Sequence, residues 1–207
     1  MKIYQLERED SIESNILLPF KEIYALENGT LTQEALMTNQ ILANAIEGDG
    51  NLNIDKVEMI AKYNANLNLS QTIDKLIIQS YSPVKQVVDR INSLCENALD
   101  ILLSKQQRSL IRKTIFDVFT NLYSQKQASW IFYQACSPRV TTYKYNLIFA
   151  IQNALTKYSI QFLTMSLMVN IYRSSENILQ LKPNDNISCS IKINCLKLTQ
   201  SFPAMMN

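Results

Sequence analysis

Residues 142–152 read TYKYNLIFAIQ and residues 161–171 read QFLTMSLMVNI, and the side-chain period of these two stretches decides the fold. In the first, Tyr143, Tyr145, Leu147, Phe149 and Ile151 alternate with Lys144, Asn146, Ile148, Ala150 and Gln152. In the second, Leu163, Met165, Leu167, Val169 and Ile171 alternate with Phe162, Thr164, Ser166, Met168 and Asn170. A period of two sends successive side chains to opposite faces of a pleated strand. A third run, Ile187 to Leu198, sets Ile187, Cys189, Ile191, Ile193 and Cys195 against Ser188, Ser190, Lys192, Asn194 and Leu196. From Ala128 onward the chain therefore reads as strands separated by turns bearing Pro, Asn and Ser.

Upstream the period changes to that of a helix. From Pro83, which suits a first helical turn, the residues Val84, Val87, Val88, Ile91, Leu94, Cys95, Ala98, Ile101 and Leu102 fall on one face. Lys85, Asp89, Arg90, Asn92, Glu96 and Asp100 fall on the other. After Ser104 a partner helix carries Leu110, Ile111, Ile115, Val118, Phe119 and Leu122, so the two form a helical hairpin with a short polar turn. Further upstream, Thr30-Leu31-Thr32-Gln33 has the form of a capping box. It precedes Leu31, Ala35, Leu42 and Ala45 at helical spacing, a stripe that Leu36, Met37, Ile41 and Ile46 widen. Asn28-Gly29 marks a turn before it, and Ser11 to Leu18, stopped by Pro19, reads as its hairpin partner. Ile54 to Tyr63 and Leu67 to Tyr81 read as two strands from their Ile and Val content, and Met1 to Leu6 as a short one. Helix pairs feeding a run of strands imply one α+β domain over residues 1–207, an antiparallel sheet flanked by two helical hairpins.

The composition narrows the chemistry. There is no histidine, which removes the commonest general base and metal ligand, and the three glycines form no phosphate-binding loop. Neither an enzyme nor a cofactor is expected. A net charge of +2 is too small for phosphate contacts to dominate, so nucleic acid is not an expected partner. The acidic start Glu7-Arg8-Glu9-Asp10 lacks the apolar core of a secretory signal, and no apolar run is long enough for a membrane helix. Cys95, Cys136, Cys189 and Cys195 form no Cys-x-x-Cys unit and are expected as free buried thiols. Ala45 to Lys56 resembles a calcium loop at Glu47, Asp49, Gly50 and Asn53, but Ala45 and Lys56 occupy the two positions that need carboxylates. No metal site is expected there. Lys105, Arg108, Arg112 and Lys113 make a basic stripe, a solvated helix face that also suits lipid headgroups.

The strands carry a further signal in their length. Eleven residues from Thr142 to Gln152, eleven from Gln161 to Ile171 and twelve from Ile187 to Leu198 match what a tilted strand needs to cross a bilayer. Such strands also build ordinary sheets, with their apolar faces under helices. At this point particular residues matter. Phe119-Thr120-Asn121-Leu122, Gln125-Lys126, Trp130-Ile131-Phe132, Tyr143, Tyr145-Asn146, Phe149-Ala150-Ile151-Gln152-Asn153-Ala154 and Thr156 resemble the central block of the Cyt family of bacterial cytolytic delta-endotoxins. Leu42-Ala43-Asn44-Ala45 resembles that family's early block, and weaker similarity runs from Ile3 to Leu198.

The resemblance implies a sheet between two helical hairpins, with no cofactor and no small-molecule substrate. It implies a protein kept soluble or in inclusions by its producing bacterium, which then acts outside it. Such a protein binds phospholipid of the target cell membrane, oligomerises there and permeabilises it. On that reading Trp130, Tyr143, Tyr145, Leu147, Phe149, Ile151, Leu163, Met165, Leu167, Val169 and Ile171 are the candidate membrane-inserting side chains, uncovered when lipid releases a helical hairpin. Lys105, Arg108, Arg112 and Lys113 are candidate headgroup contacts. The alternative is a soluble interaction or lipid-binding protein of the same fold that no longer inserts.

Overall fold

The alternating stretches pair with one another in a register that brings their apolar sides together. The computed structural model describes residues 18–27, 29–100, 103–121, 125, 128–136, 139–153, 155–156, 158–172 and 181–202. Its elements in chain order are β1 (Lys21–Ala25), α1 (Thr30–Ala43), α2 (Ile54–Tyr63), β2 (Leu67–Pro83), α3 (Val84–Leu99), α4 (Lys105–Thr120), β3 (Ile131–Cys136), β4 (Thr141–Gln152), β5 (Ser159–Ile171) and β6 (Asn186–Ser201). Across β4 and β5, Tyr143 faces Val169, Tyr145 faces Leu167, Leu147 faces Met165 and Phe149 faces Leu163. Across β5 and β6, Met165, Leu167 and Val169 face Cys195, Ile193 and Ile191. Directly opposed residues share a face, so these side chains form one apolar surface.

The sheet runs β1-β4-β5-β6-β2, with β3 also on β4. The ladders β2–β6, β3–β4, β4–β5 and β5–β6 are antiparallel, as expected, whereas β1 joins parallel to β4 and makes the sheet mixed. β3 occupies β4 along Thr141 to Tyr145, and β1 occupies the same edge along Leu147 to Ile151. Helices cover both faces. One core joins α3 and α4 to the face carrying Tyr143 to Ile151, and the other joins α1 and α2 to Ile148, Ala150, Ile160, Phe162, Leu196 and Leu198. The two hairpins on an α+β sheet agree with the sequence.

Several expectations change. Ile54–Tyr63 is a helix, not a strand. Ile54, Val57, Ile60 and Ala61 fall at helical spacing, and the Asn53 side chain caps the helix by accepting from Lys56 N at 3.0 Å. The first hairpin is therefore α1 with α2; Met1 to Leu6 and Ser11 to Leu17 lie outside the described residues, and Leu18 is irregular. The α1 capping box does not form, because Gly29 is the N-cap and makes no side-chain bond. A capping box does form at α4, where Gln107 N donates to Ser104 Oγ at 3.2 Å and Ser104 N donates to Gln107 Oε1 at 2.8 Å. Leu31, Ala35, Leu42 and Ala45 are buried, but Met37 and Ile41 are exposed, so the α1 stripe is narrower than its composition suggests. Pro83 closes β2 as the N-cap of α3. Asn92, assigned to the polar face of α3, is buried. Cys95, Cys189 and Cys195 are free and buried as expected, and the Cys136 side chain lies outside the described residues.

Val87 and Ile91 on α3 are completely buried against the sheet. Val87→Glu or Ile91→Glu would put an unpaired carboxylate there, at a cost on the order of 4 kcal/mol. For a chain of this size that lowers the melting temperature by roughly 8–16 °C. Thermal unfolding followed by circular dichroism measures it; an unchanged midpoint would mean that this face is not core.

Candidate functional site

The candidate site is the sheet face under α3 and α4. Helix α3 lays Val84, Val87, Val88, Ile91, Cys95, Ala98 and Leu99 onto it, and α4 adds Ile111, Ile115, Val118 and Phe119. The sheet supplies Tyr143, Tyr145, Leu147, Phe149 and Ile151 from β4, and Leu163, Met165, Leu167, Val169 and Ile171 from β5. Ile187, Cys189, Ile191, Ile193 and Cys195 continue the same surface on β6. All ten strand residues singled out from the sequence thus meet in one cluster. Trp130 is half-buried at its rim, where Lys21 Nζ stands 5.2 Å from the ring centroid.

Contacts across this interface are almost all non-directional. Phe119 meets Tyr145 edge-on with centroids 5.9 Å apart, Tyr145 stacks on Tyr143 at the same separation, and Cys95 Sγ lies 4.0 Å from Met165 Sδ. Gln107 is a polar tie, its Nε2 donating to the carbonyls of Ala25 at 3.4 Å and Gln152 at 3.1 Å. Among the described residues, the Tyr143 and Tyr145 hydroxyls, both side-chain polar atoms of Asn92 and Gln161 Oε1 have no partner in this layer, and Asn39 Oδ1, Asn146 Oδ1 and Thr164 Oγ1 have none on the opposite side. Burial pushes both tyrosine hydroxyls and the Cys95 thiol well above their ordinary ionisation ranges. It raises Cys189 to about 11 and Cys195 to about 12, so these thiols stay protonated and poorly nucleophilic at neutral pH.

The opposite face is held differently. There Thr38 Oγ1 donates to Gln200 Oε1 at 2.7 Å, and Asn39 Nδ2 donates to the Tyr24 hydroxyl at 2.9 Å and to Glu22 Oε1 at 3.0 Å. The loop between α1 and α2 grips β4. Lys144 Nζ donates to Asn51 Oδ1 at 2.6 Å and to the Asp49 carbonyl at 3.2 Å, and Asn146 Nδ2 donates to the Gly50 carbonyl at 3.2 Å. Burial lowers the Lys144 ammonium below its ordinary range. Gly50 has φ of 78°, and a Cβ there would collide with the Phe132 ring, so glycine is required twice over. Glu47 is spent on Asn53 at 2.7 Å and Lys56 at 3.0 Å, which hold its carboxyl below the usual range. Among the described residues no cluster of metal ligands occurs, there or elsewhere.

On the reverse face of β4, Lys144, Asn146, Ile148, Ala150 and Gln152 are all buried. Alternation revealed which residues share a face but not what covers it. The basic stripe is exposed, and two of its members pair across the hairpin: Arg112 with Asp89 at 2.6 Å and Arg108 with Glu96 at 3.6 Å. Such exposed pairs contribute at most about 1 kcal/mol. A groove of about 710 Å³ between α1 and α2, lined by Ile41, Met59, Ile60 and Tyr63, lies apart from the α3–α4 interface.

No helix among the described residues is long and apolar enough to cross a membrane, a criterion that does not bear on strands. A sheet between two helical hairpins, with an unbroken apolar face on one side, defines an α+β protein of two helix layers around a mixed sheet. The profile of the family described as Bacillus thuringiensis toxin matches residues 2–207, and the chain belongs to that family. The type-1Aa cytolytic delta-endotoxin of Bacillus thuringiensis subsp. morrisoni is 26% identical over 96% of this chain and 82% of its own length. The type-1Ba cytolytic delta-endotoxin of subsp. neoleoensis is 28% identical over 61% of this chain, a match that spans about half (48%) of the relative. The structure of the activated Cyt2Ba monomer from subsp. israelensis superposes with a TM-score of 0.84 at 22% identity, over 90% of this chain and 100% of that one. The fold is that of the Cyt toxins.

Asn92→Leu removes two buried polar atoms that lack partners and keeps the volume apolar. It should stabilise the fold by about 1–3 kcal/mol, visible as a rise of roughly 2–12 °C in melting temperature. A lower midpoint would mean that the amide is bonded in the folded protein.

Proposed function

We propose that this protein permeabilises phospholipid membranes, with the apolar sheet face as the inserting surface and α3–α4 as the cover that moves aside. The observation that carries this reading is the contrast between the two hairpins. Helices α1 and α2 are tied to the sheet by directed hydrogen bonds from Thr38, Asn39, Lys144 and Asn146. The α3–α4 cover rests mainly on apolar contact, with Gln107 as a polar tie and unpartnered polar groups on Asn92, Tyr143, Tyr145 and Gln161 in the same layer. Apolar area is indifferent to whether helix or acyl chain shields it, so exchanging one for the other in contact with lipid is nearly balanced in free energy. Directed bonds have no such substitute in hydrocarbon.

The same reading requires oligomers. Among the described residues the sheet is open, with β2 at one edge and β1 and β3 at the other. Hydrocarbon does not tolerate an open edge, so copies must pair until their backbone groups are satisfied. The Lys105, Arg108, Arg112 and Lys113 stripe on the outer side of the cover would lie against headgroups as α4 settles on the surface. No resident metal enters this mechanism.

Phosphatidylcholine vesicles loaded with dye test the reading. In chelator-containing buffer the protein should release dye and form large oligomers that sediment with the vesicles. A strict calcium requirement contradicts the mechanism, binding without release reduces it to lipid binding, and neither leaves a soluble interaction protein of the same fold.

A further inference from the structure

The α3–α4 hairpin is held unequally along its length. At its base, where β2 runs into α3, Val84 N donates to the Asp185 carbonyl at 3.0 Å and Lys85 N to the Pro183 carbonyl at 3.1 Å. First-turn amides have no partner within their own helix, so these two bonds seat α3 on the turn that enters β6. Val84, Val87 and Val88, in the first half of α3, are buried, and the Phe119, Tyr145 and Tyr143 rings pack together toward the same end. At the tip, by contrast, one side chain ties the hairpin to the far end of the sheet: Gln107 Nε2 donates to the carbonyls of Ala25 at 3.4 Å and Gln152 at 3.1 Å. Under the second half of α3, Ile91, Cys95 and Ala98 line a gap with Met165 and Cys195 that is too small for a water molecule. Side chains around such a gap lack contact partners on one side. Asn92, with its unpartnered amide, lies in this half of α3, and Gln161 Oε1 is unpartnered at this end of the sheet.

We infer that α3–α4 opens as a lid, hinged at its base on the 183–185 turn and latched at its tip by Gln107. The inference rests on the membrane-permeabilising reading and gives the moving cover a direction. Opening from the tip breaks two hydrogen bonds of one side chain and parts the loosely packed half first. Opening from the base would break two backbone bonds and part the tightly packed half. The backbone at the base is also built to turn. Among the described non-glycine residues only Tyr81 and Asp100 have positive φ, 47° and 45°, and they stand before and after α3. Such a conformation is uncommon for a bulky residue, and outliers of this kind gather at switch regions. Tyr81 lies where the β2–β6 register shifts between Gln79 and Ser82, and it is 76% exposed, so rotation there displaces no packed side chain. A few residues at the end of an element suffice to absorb a hinge motion.

The two helices move as one body. Arg112 pairs with Asp89 at 2.6 Å and Arg108 with Glu96 at 3.6 Å, both across the hairpin and both exposed, so neither pair has to break when the lid lifts. The tip lies over the end of the sheet that α1 and α2 cover from the other face, and those helices keep their place. Lifting the tip therefore uncovers Ile151 and Leu163 first and Tyr143 and Val169 last, on one face alone.

Hydrogen exchange of the whole protein mixed with phosphatidylcholine vesicles, read by mass spectrometry of its peptides, tests the order of opening. Segments 93–99 and 105–111 should take up deuterium about threefold faster, or more, than segment 84–90. Uniform uptake, or faster uptake at 84–90, while dye is released overturns the lid and leaves the permeabilising function standing. Gln107→Met keeps the volume, removes the latch and should speed dye release about threefold or more. It also breaks the capping box of α4, which Ser104→Ala breaks as well while sparing the Gln107 side-chain amide. Ser104→Ala should therefore release dye within about twofold of the wild-type rate. An unchanged rate in Gln107→Met, or equal acceleration in both variants, overturns the latch. If Gln107→Met does not fold, the order of exchange in the wild-type protein decides alone. Absence of dye release from the wild-type protein overturns the permeabilising function, and the lid with it.

Discussion

The apolar contact between α3–α4 and the β4–β5–β6 face is the constraint on which the rest of the structure depends. Strands of twelve to sixteen residues that present Tyr, Leu, Ile, Val and Phe along one side cannot leave that side in water. Full burial of each such side chain is worth about 1.5–3 kcal/mol, so a cover is obligatory. A helix whose period lays Val84, Val87, Val88, Ile91 and Cys95 along one stripe supplies it, and α4 widens the roof with Ile111, Ile115 and Phe119. The attraction is proportional to area and has no direction, which makes the identity of the cover a matter of what apolar material is at hand. The buried Asn92 amide and the Tyr143 and Tyr145 hydroxyls weaken the helical cover without breaking it.

The reverse face follows the opposite rule. Its core of Leu42, Val57, Phe162, Leu196 and Leu198 occupies one end of the sheet, and beyond it the α1–α2 loop docks through Lys144 and Asn146. These are bonds of fixed geometry that only this loop satisfies, and Gly50 is the residue that allows it to lie close to Phe132. One sheet thus has a face bound chiefly by area and a face bound by area and directed bonds together. The proposed function uses the first as the surface that changes partner and the second as the part that keeps its shape.

The sequence disclosed the elements whose pattern is local and long. The period-two runs of β4, β5 and β6 and the stripe of α3 needed no tertiary knowledge, and the ten strand residues of the candidate site came from the same alternation. β1 was not legible, because KEIYA is five residues and is held in place by parallel pairing with β4 far along the chain. α2 was misread because Val57 is its one fully buried side chain and its Ile and Val content imitates a strand. The burial of Lys144 and Asn146 was equally invisible, since it depends on a loop almost a hundred residues upstream. Asn92 looked like surface because a polar residue inside an apolar interface contradicts the rule by which faces are assigned.

The central claim is that the face now under α3–α4 meets lipid, and a scan of single labelled cysteines from Tyr145 to Ile151 tests it most directly. With Cys95, Cys136, Cys189 and Cys195 replaced, each variant carries an environment-sensitive dye and is bound to vesicles containing a lipid-borne quencher. Helical cover already keeps water from these positions in the free protein, so quenching from within the bilayer is the discriminating signal. Labels at Tyr145, Leu147, Phe149 and Ile151 should be quenched and those at Asn146, Ile148 and Ala150 spared, a period of two that matches the strand. If no position is reached by the lipid quencher while the vesicles still leak, the strands remain outside the bilayer and the account is contradicted.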